Sequence, residues 1–415
     1  MMAIGVLAFA VGLMICVMLH EAGHFVAAKF FGMKATQFFV GFGPTLWSRQ
    51  RGDTEYGIKA IPAGGFVKIV GMTPLEDLAP EDQAGAFINK PGWDRFVVLV
   101  AGSTMHFILA FIFFFAFAVG WPTHDTGGVK VAAVSSCLSH DASDTSSACT
   151  AGTVTAPAAG VLRAGDVILA VDGKTLKDAV VLDTDPGAKP GATVKGGPAA
   201  LPSLIKSSTG PLKITLVRAG ATQTVEITPV VIGGVRKIGV SDEPEYTRLG
   251  PVAAVGSAFG DFGTVISGSA GAVGKIPSAI GNIFSAHPPK RTASGQGASV
   301  SSVVGIARIA GQGFASGGFY GGTAELLTLL GSVNLFVGIF NLLPFLPLDG
   351  GHVAILGYEK LRNAWRRRRH LIPAGPVDLN KLMPLTYGFL AIIVAVSALI
   401  LFSDIVNPVA NPFTQ

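Results

Sequence analysis

Four runs of apolar residues, each close to the length of a bilayer crossing, constrain this chain more than any other feature. They begin near Met1, Phe96, Leu326 and Leu385, and a helical span needs about 20 mostly apolar residues. Composition points the same way. Of the 415 residues 49% are hydrophobic and 14% charged, and the mean hydropathy of +0.53 lies outside the range of an ordinary soluble enzyme. The sequence therefore predicts an α-helical polytopic membrane protein with four transmembrane helices. No Lys or Arg precedes Lys29, so the first run lacks the basic leader of a secretory signal and is read as a retained span.

A formal charge of +5 and a pI near 9.1 invite comparison with a nucleic-acid binder. The basic residues lie mostly in loops that flank apolar runs, which membrane topology explains and nucleic acid does not. Lys34, Arg49, Arg51, Lys59, Lys68, Lys90 and Arg95 separate spans one and two; Lys360, Arg362, Arg366 to Arg369 and Lys381 separate spans three and four. The positive-inside rule makes both loops cytoplasmic. The termini and the segment from Trp121 to Ala324 are then expected outside, with the membrane-embedded chemistry towards the cytoplasmic side of the plasma membrane. In that segment Cys137 and Cys149 bracket a short polar stretch, where oxidising conditions favour a disulfide over two free thiols. Cys16 falls in the first span.

The composition divides the chain into residues 1–122, with two spans and a membrane-associated β-hairpin; 123–248, an extracytoplasmic β-rich domain; 249–324, an external or interfacial linker; and 325–415, with the last two spans. The hairpin is predicted from Gln37-Phe-Phe-Val-Gly-Phe-Gly-Pro44, the Gly52-Asp53 turn and Thr54 to Ile61, with Ala63 to Ile69 as a further strand. Strands are also expected over Val129 to Val134, Asp166 to Val171, Leu212 to Arg218 and Thr224 to Val231. Lys177 to Ala199 reads as a loop insertion, Pro251 to Ala286 as a weakly amphipathic surface segment, and His287 to Ser299 as a polar linker.

Within the first apolar run stands His20-Glu21-Ala22-Gly23-His24, an HExxH pattern. Residues four apart share a helix face, so His20 and His24 can offer two imidazole nitrogens to one metal ion with Glu21 beside it. Ionisable groups inside a span are costly and persist mainly where they serve a function. Phe25 to Ala28 continue the apolar pattern, which argues against a helix that merely emerges into water at His20. Catalytic zinc takes three protein ligands. Asp349 is the favoured third, because it interrupts the third apolar run at the depth of the histidines, after the helix-breaking Pro344 and Pro347; His352 is its rival.

HEAGH in the first span, GFGP in the loop after it and Asn341-Leu-Leu-Pro-Phe-Leu-Pro-Leu-Asp349-Gly-Gly-His in a later span resemble the bacterial site-2 proteases, M50-type intramembrane zinc metalloproteases with an inserted PDZ domain. The resemblance covers nearly the whole chain. It implies Zn²⁺ as cofactor, His20, His24 and Asp349 as ligands, Glu21 as catalytic base, and a substrate-engaging role for Asn341. The external segment resembles a PDZ fold over Ala159 to Gly173. That domain is expected either to bind peptides or to filter substrates by size. Where relatives read Gly-Pro-x-x-Asn, this chain reads Gly102-Ser-Thr-Met-His106. His106 and Asn334 are left between a role near the metal and hydrogen bonding across helices.

The resemblance also implies hydrolysis of a single-span membrane protein, such as an anti-sigma factor already cut outside, in regulated intramembrane proteolysis. Gly41, Phe42 and Gly43 are expected to offer the unwound substrate a sheet edge. The partners are that substrate and membrane lipid, with no nucleic acid. Two other classes compete. A silent scaffold would have no use for Glu21, and a metal transporter calls for further intramembrane ligands along a path.

Overall fold

The computed structural model describes residues 1–72, 78–139, 149, 153–182, 193–195, 200–283, 301–375 and 377–409. The chain divides into two compact units, Met1–Phe117 with Val252–Gln415, and Ala118–Pro251. Four helices are long and apolar enough to cross a bilayer: Met2–Phe30, Gly92–Gly120, Val303–Asn341 and Leu379–Val406. The protein is a multi-pass membrane protein.

The first unit begins with α1 (Met2–Phe30), followed by β1 (Ala35–Arg51), β2 (Thr54–Ile69) and α2 (Gly92–Gly120). β1 and β2 are long enough to fold back on themselves. Trp47 to Arg51 pair with Thr54 to Ile58, while Gln37 to Val40 pair with Glu55 to Ile58 on one side and with Gly65 to Lys68 on the other. The Phe39 region is thus internal, and residues 65–68 form an outer edge. Phe39, Phe66 and Phe42 lie against one another, with ring centroids 5.6 and 6.1 Å apart. Ala28, Met33, Ile69, Val98 and Leu99 bury the base of this sheet between α1 and α2.

The second unit holds β3 (Pro122–Val134), β4 (Cys137–Ser139), β5 (Thr153–Thr155), β6 (Val167–Val171), β7 (Lys174–Thr175), β8 (Val180–Leu182) and β9 (Thr193–Lys195). After α3 (Ala200–Ser207) come β10 (Leu212–Arg218), β11 (Ala221–Ile227), β12 (Val230–Ile232), β13 (Val235–Lys237) and β14 (Val240–Arg248). The main sheet has the order β11-β10-β6-β3-β14, with β7 on β6. Alternate residues Leu212, Ile214 and Leu216 point into a core with Val129, Val131, Ile168, Leu201 and Ile205, the period-two burial of a one-sided strand. A disulfide joins Cys137 to Cys149 with Cα atoms 5.3 Å apart. Most of the expected loop over 177–199 lies outside the described residues, except the short β8–β9 pair.

The rest of the first unit is α4 (Pro251–Ile283), α5 (Val303–Asn341), α6 (Asp349–Arg368) and α7 (Met383–Val406). Where the sequence suggests a linker over 249–324, the structure has α4 and the first half of α5; the polar stretch His287 to Ser299 lies outside the described residues. α5 is broken at Gly318, whose φ of 62° and ψ of −158° are not helical. The span predicted from Leu326 is therefore the second limb of a longer element. Phe9 of α1 packs on Ala310 and Leu330 of α5. Asp404 near the end of α7 accepts a 2.6 Å hydrogen bond from the Ser302 amide and so ties α7 to the start of α5.

Candidate metal centre

His20 and His24 sit one turn apart on α1, and both are buried. Their Nε2 atoms are 3.2 Å apart. His24 Nδ1 lies 2.7 Å from the carbonyl oxygen of Val98 on α2. A carbonyl only accepts, so Nδ1 carries the hydrogen and Nε2 keeps its lone pair, the tautomer a metal ligand requires. The third group arrives from the far end of the chain. α5 stops at Asn341, Pro344 and Pro347 prevent its continuation, and the chain reverses so that Asp349 opens α6. A carboxylate in a first helical turn also faces the favourable end of the helix dipole. The reversal is tight: a side chain at Gly350 would put its Cβ 2.2 Å from the Leu342 carbonyl.

Asp349 Oδ2 stands 3.3 Å from His24 Nε2 and 3.5 Å from His20 Nε2, buried and outside any well-formed hydrogen bond. Three electron-pair donors thus face one another at 3.2–3.5 Å. Ligands bound at 2.0–2.1 Å around a tetrahedral zinc stand roughly 3.3–3.4 Å apart. Without a cation, three converging acceptors in a buried setting would be costly; with one, each is satisfied. The residues fit zinc. Among the described residues this is the only group of three or more His, Cys, Asp or Glu placed to hold a metal ion. His352, three residues beyond Asp349, is not part of it.

The wall behind the trio is Gly102 of α2. A Cβ there would fall 2.2 Å from His24 Nε2 and 2.6 Å from His20 Cε1, so only glycine lets α2 come this close. A second close approach, at Gly23 against the Ala101 carbonyl, fixes the same crossing of α1 and α2. In the sequence this stretch stands out only by lacking a Pro and an Asn. The role of Gly102 and the Val98 carbonyl went unread, because neither a missing side chain nor a backbone oxygen leaves a motif.

Glu21 is half-buried beside the histidines, and its Oε2 accepts a hydrogen bond of 3.1 Å from the Val67 amide of β2. The part of the sheet nearest the carboxylate is therefore the 65–67 segment; Gly65 lies against Met18 of α1. Gly41 and Gly43 have φ of 85° and 84° and flank the half-exposed Phe42 in the turn of the same sheet. Asn341, the last residue of α5, is partly buried and makes no side-chain hydrogen bond to a described residue.

His106 and Asn334 form a buried cross-helix pair, with His106 Nδ1 2.8 Å from Asn334 Oδ1. Asn334 Nδ2 donates to the Leu330 carbonyl at 2.7 Å and to Cys16 Sγ at 3.2 Å. Since the amide nitrogen must face the carbonyl, its oxygen is left to accept, and His106 Nδ1 is the protonated nitrogen. The His106 ring centroid lies 4.9 Å from that of His20. The pair thus links α2 and α5 while packing directly against the His20 imidazole.

Comparison with known proteins agrees with this chemistry. The profile described as Peptidase family M50 matches residues 8–372. The chain is 33% identical to zinc metalloprotease Rip1 of Mycolicibacterium smegmatis over 434 aligned positions covering 99% of each chain. It is 33% identical to zinc metalloprotease Rip1 of Mycobacterium tuberculosis over 428 positions, again 99% of each. A putative zinc metalloprotease of Nostoc, all3971, is 28% identical over 368 positions, 86% of each. With a donor set spaced for zinc, two of its members on a membrane-spanning helix, and a family match along nearly its full length, the chain belongs to peptidase family M50 as a Rip1-like zinc metalloprotease of the site-2 protease type.

Proposed function

We propose that this protease cleaves single-span membrane proteins within or beside the bilayer, after a first external cut by another protease, and that an anti-sigma factor is a fitting substrate. The observation that carries this reading is the position of Glu21, between the buried donor trio on one side and the Val67 amide at a sheet edge on the other. That arrangement suits a peptide laid out as an extended strand with its carbonyl presented to the metal. Zinc, when bound, supplies Lewis acidity that polarises the scissile carbonyl and makes water acidic enough to attack it near neutral pH. Glu21 takes the proton from the attacking water and delivers it to the departing amine. His20, His24 and Asp349 hold the metal, and no covalent acyl-enzyme is required.

A helical substrate hides its carbonyls in hydrogen bonds and must unwind before it can react. The edge formed by residues 65–68, with Gly41, Phe42 and Gly43 at its turn, re-satisfies the freed backbone groups by strand addition. Asn341 is suited to a polar contact with the same strand. The charge distribution supports an orientation with the basic loops and metal centre towards the cytoplasm and the 118–251 unit outside. The strand-rich character of that unit, closed by the Cys137–Cys149 bridge, suits a PDZ-like domain that admits trimmed substrates and turns away bulky ones.

Coexpression of candidate single-span proteins with the wild type and with Glu21→Gln in membranes tests the proposal. Processing by the wild type alone is expected. Equal processing by both would remove Glu21 from the chemistry, and cleavage confined to soluble segments would remove the intramembrane substrate.

A further inference from the structure

A groove between α6 and α7 has no part in the chemistry above. It encloses about 710 Å³, bounded by the 342–348 loop, α6 and the start of α7. Its lining follows α6 from Gly351 to Arg362, about 16 Å of helix, and the stretch from Lys381, in the turn before α7, to Phe389 within it. The two helices run in opposite senses here, because Phe345, just before α6, stacks on Phe389 with centroids 4.7 Å apart. The cations Arg362 and Lys381 therefore gather at one end, and Phe345, Leu385 and Phe389 at the other.

Neither cation has an acidic partner among the described residues. Arg362 donates to the Gly375 carbonyl. Asp378, also at the rim, is engaged as an acceptor for the Asn380 amide at 3.0 Å. Beyond the groove, the end of α6 carries Arg366 to Arg369. α7 is also the barest of the spans, with 6% of its apolar window buried against 39% for α2. So bare an apolar helix of this length suits contact with the bilayer.

Two cations without an acidic partner among the described residues, at the head of an apolar trough beside a bare apolar span, match a phosphate joined to acyl chains. We propose that this groove binds one acidic phospholipid from the surrounding bilayer, with its phosphate on Arg362 and Lys381 and its chains along Phe345, Leu385 and Phe389. The inner wall includes Leu346 and Gly351, on either side of Asp349, so the bound lipid braces the loop that presents this ligand. The inference requires a membrane-embedded chain and does not depend on which substrate is cleaved.

The test uses purified full-length protein, with bound lipid read by native mass spectrometry and stability by the unfolding midpoint. Phosphatidylglycerol is expected to stay bound and raise the midpoint, while phosphatidylcholine and inorganic phosphate leave it unchanged. Arg362→Gln with Lys381→Gln lowers the affinity roughly thirtyfold. Ala354→Phe fills the trough with both cations intact and abolishes retention; it decides the matter if the double variant fails to fold. Arg367→Gln with Arg368→Gln, outside the groove, leaves retention as it was. Equal stabilisation by phosphatidylcholine, stabilisation by phosphate alone, or undiminished retention in the groove variants would overturn the proposal. So would a photocrosslinker at position 385 that captures a coexpressed membrane protein in place of lipid.

Discussion

Two carboxylates, one in each unit, are treated in opposite ways. Asp166 in the 118–251 unit is saturated: Arg218 grips it with Nε and Nη2 at 2.8 and 2.6 Å, and the Arg163 amide adds a bond of 2.8 Å. The same guanidinium reaches the Val161 carbonyl at 2.8 Å, so the pair fastens the 159–166 turn to β10. Asp349 has its inner oxygen turned towards the Nε2 atoms of His20 and His24, with no other donor in reach among the described residues. A carboxylate with every acceptor site filled is architecture; one buried among other acceptors is a socket for a cation.

Filling or emptying the socket should give the largest effect. Asp349→Ala, like His20→Ala, is expected to lose stoichiometric zinc and all proteolysis, measured by metal analysis of the purified protein and substrate processing in membranes. Zinc retained at full occupancy in either variant would mean that the trio is not the ligand set. A chelator should silence the wild type, and added zinc should restore it.

A subtler break leaves every ligand in place and moves only the wall. Gly102→Ala inserts a methyl group 2.2 Å from His24 Nε2, so α2 must retreat and take the Val98 carbonyl with it. Zinc affinity is expected to fall by about 10–100-fold, the usual cost of disturbing a ligand's outer support. Competition with a chromophoric chelator reads this directly, and an unchanged affinity would show that the crossing yields freely. His106→Ala should be milder, about 10-fold in turnover, with the metal retained.

On the saturated side, Asp166→Asn should cost about 2 kcal/mol in the 118–251 unit while zinc content stays intact. Hydrogen exchange of the β6 and β10 amides reports it. The Arg218 hydrogen bonds hold the Asp166 carboxyl below its ordinary range, with smaller help from the Arg163 amide. As the pH falls, the unfolded chain therefore takes up this proton before the folded one does. The stabilisation is complete above the ordinary carboxylate range and is lost as the pH drops through the depressed folded value. The wild-type unit should weaken in acid through this residue, and the Asn variant should lack that part of the decline.

The comparison also explains what the sequence made legible. The spans, the HExxH turn and the interrupting Asp349 are local signals: long apolar runs, a spacing of four on a helix, and a carboxylate where lipid-facing residues are expected. Strands β3, β6 and β10 are legible as runs of β-forming residues, while the run expected over Thr224 to Val231 falls across β11 and β12, divided at Thr228-Pro229. What stayed hidden depends on backbone brought from far away. The Val98 carbonyl, the Val67 amide and the room made by Gly102 carry no side-chain signature, and the Gly318 break looks like any glycine in a Gly-rich stretch. α6 reads as a loop from its polar, Arg-rich composition after Asp349, although it is helical over Asp349–Arg368.

The 3.1 Å bond between Glu21 and the Val67 amide has a mechanical corollary. On the proposed mechanism, the side chain that would ferry protons and the ribbon flank that would receive a guest are pinned to each other through a single shared hydrogen. Displacing either drags on its companion, so docking of cargo and poise of the base are coupled from the outset, with no relay in between.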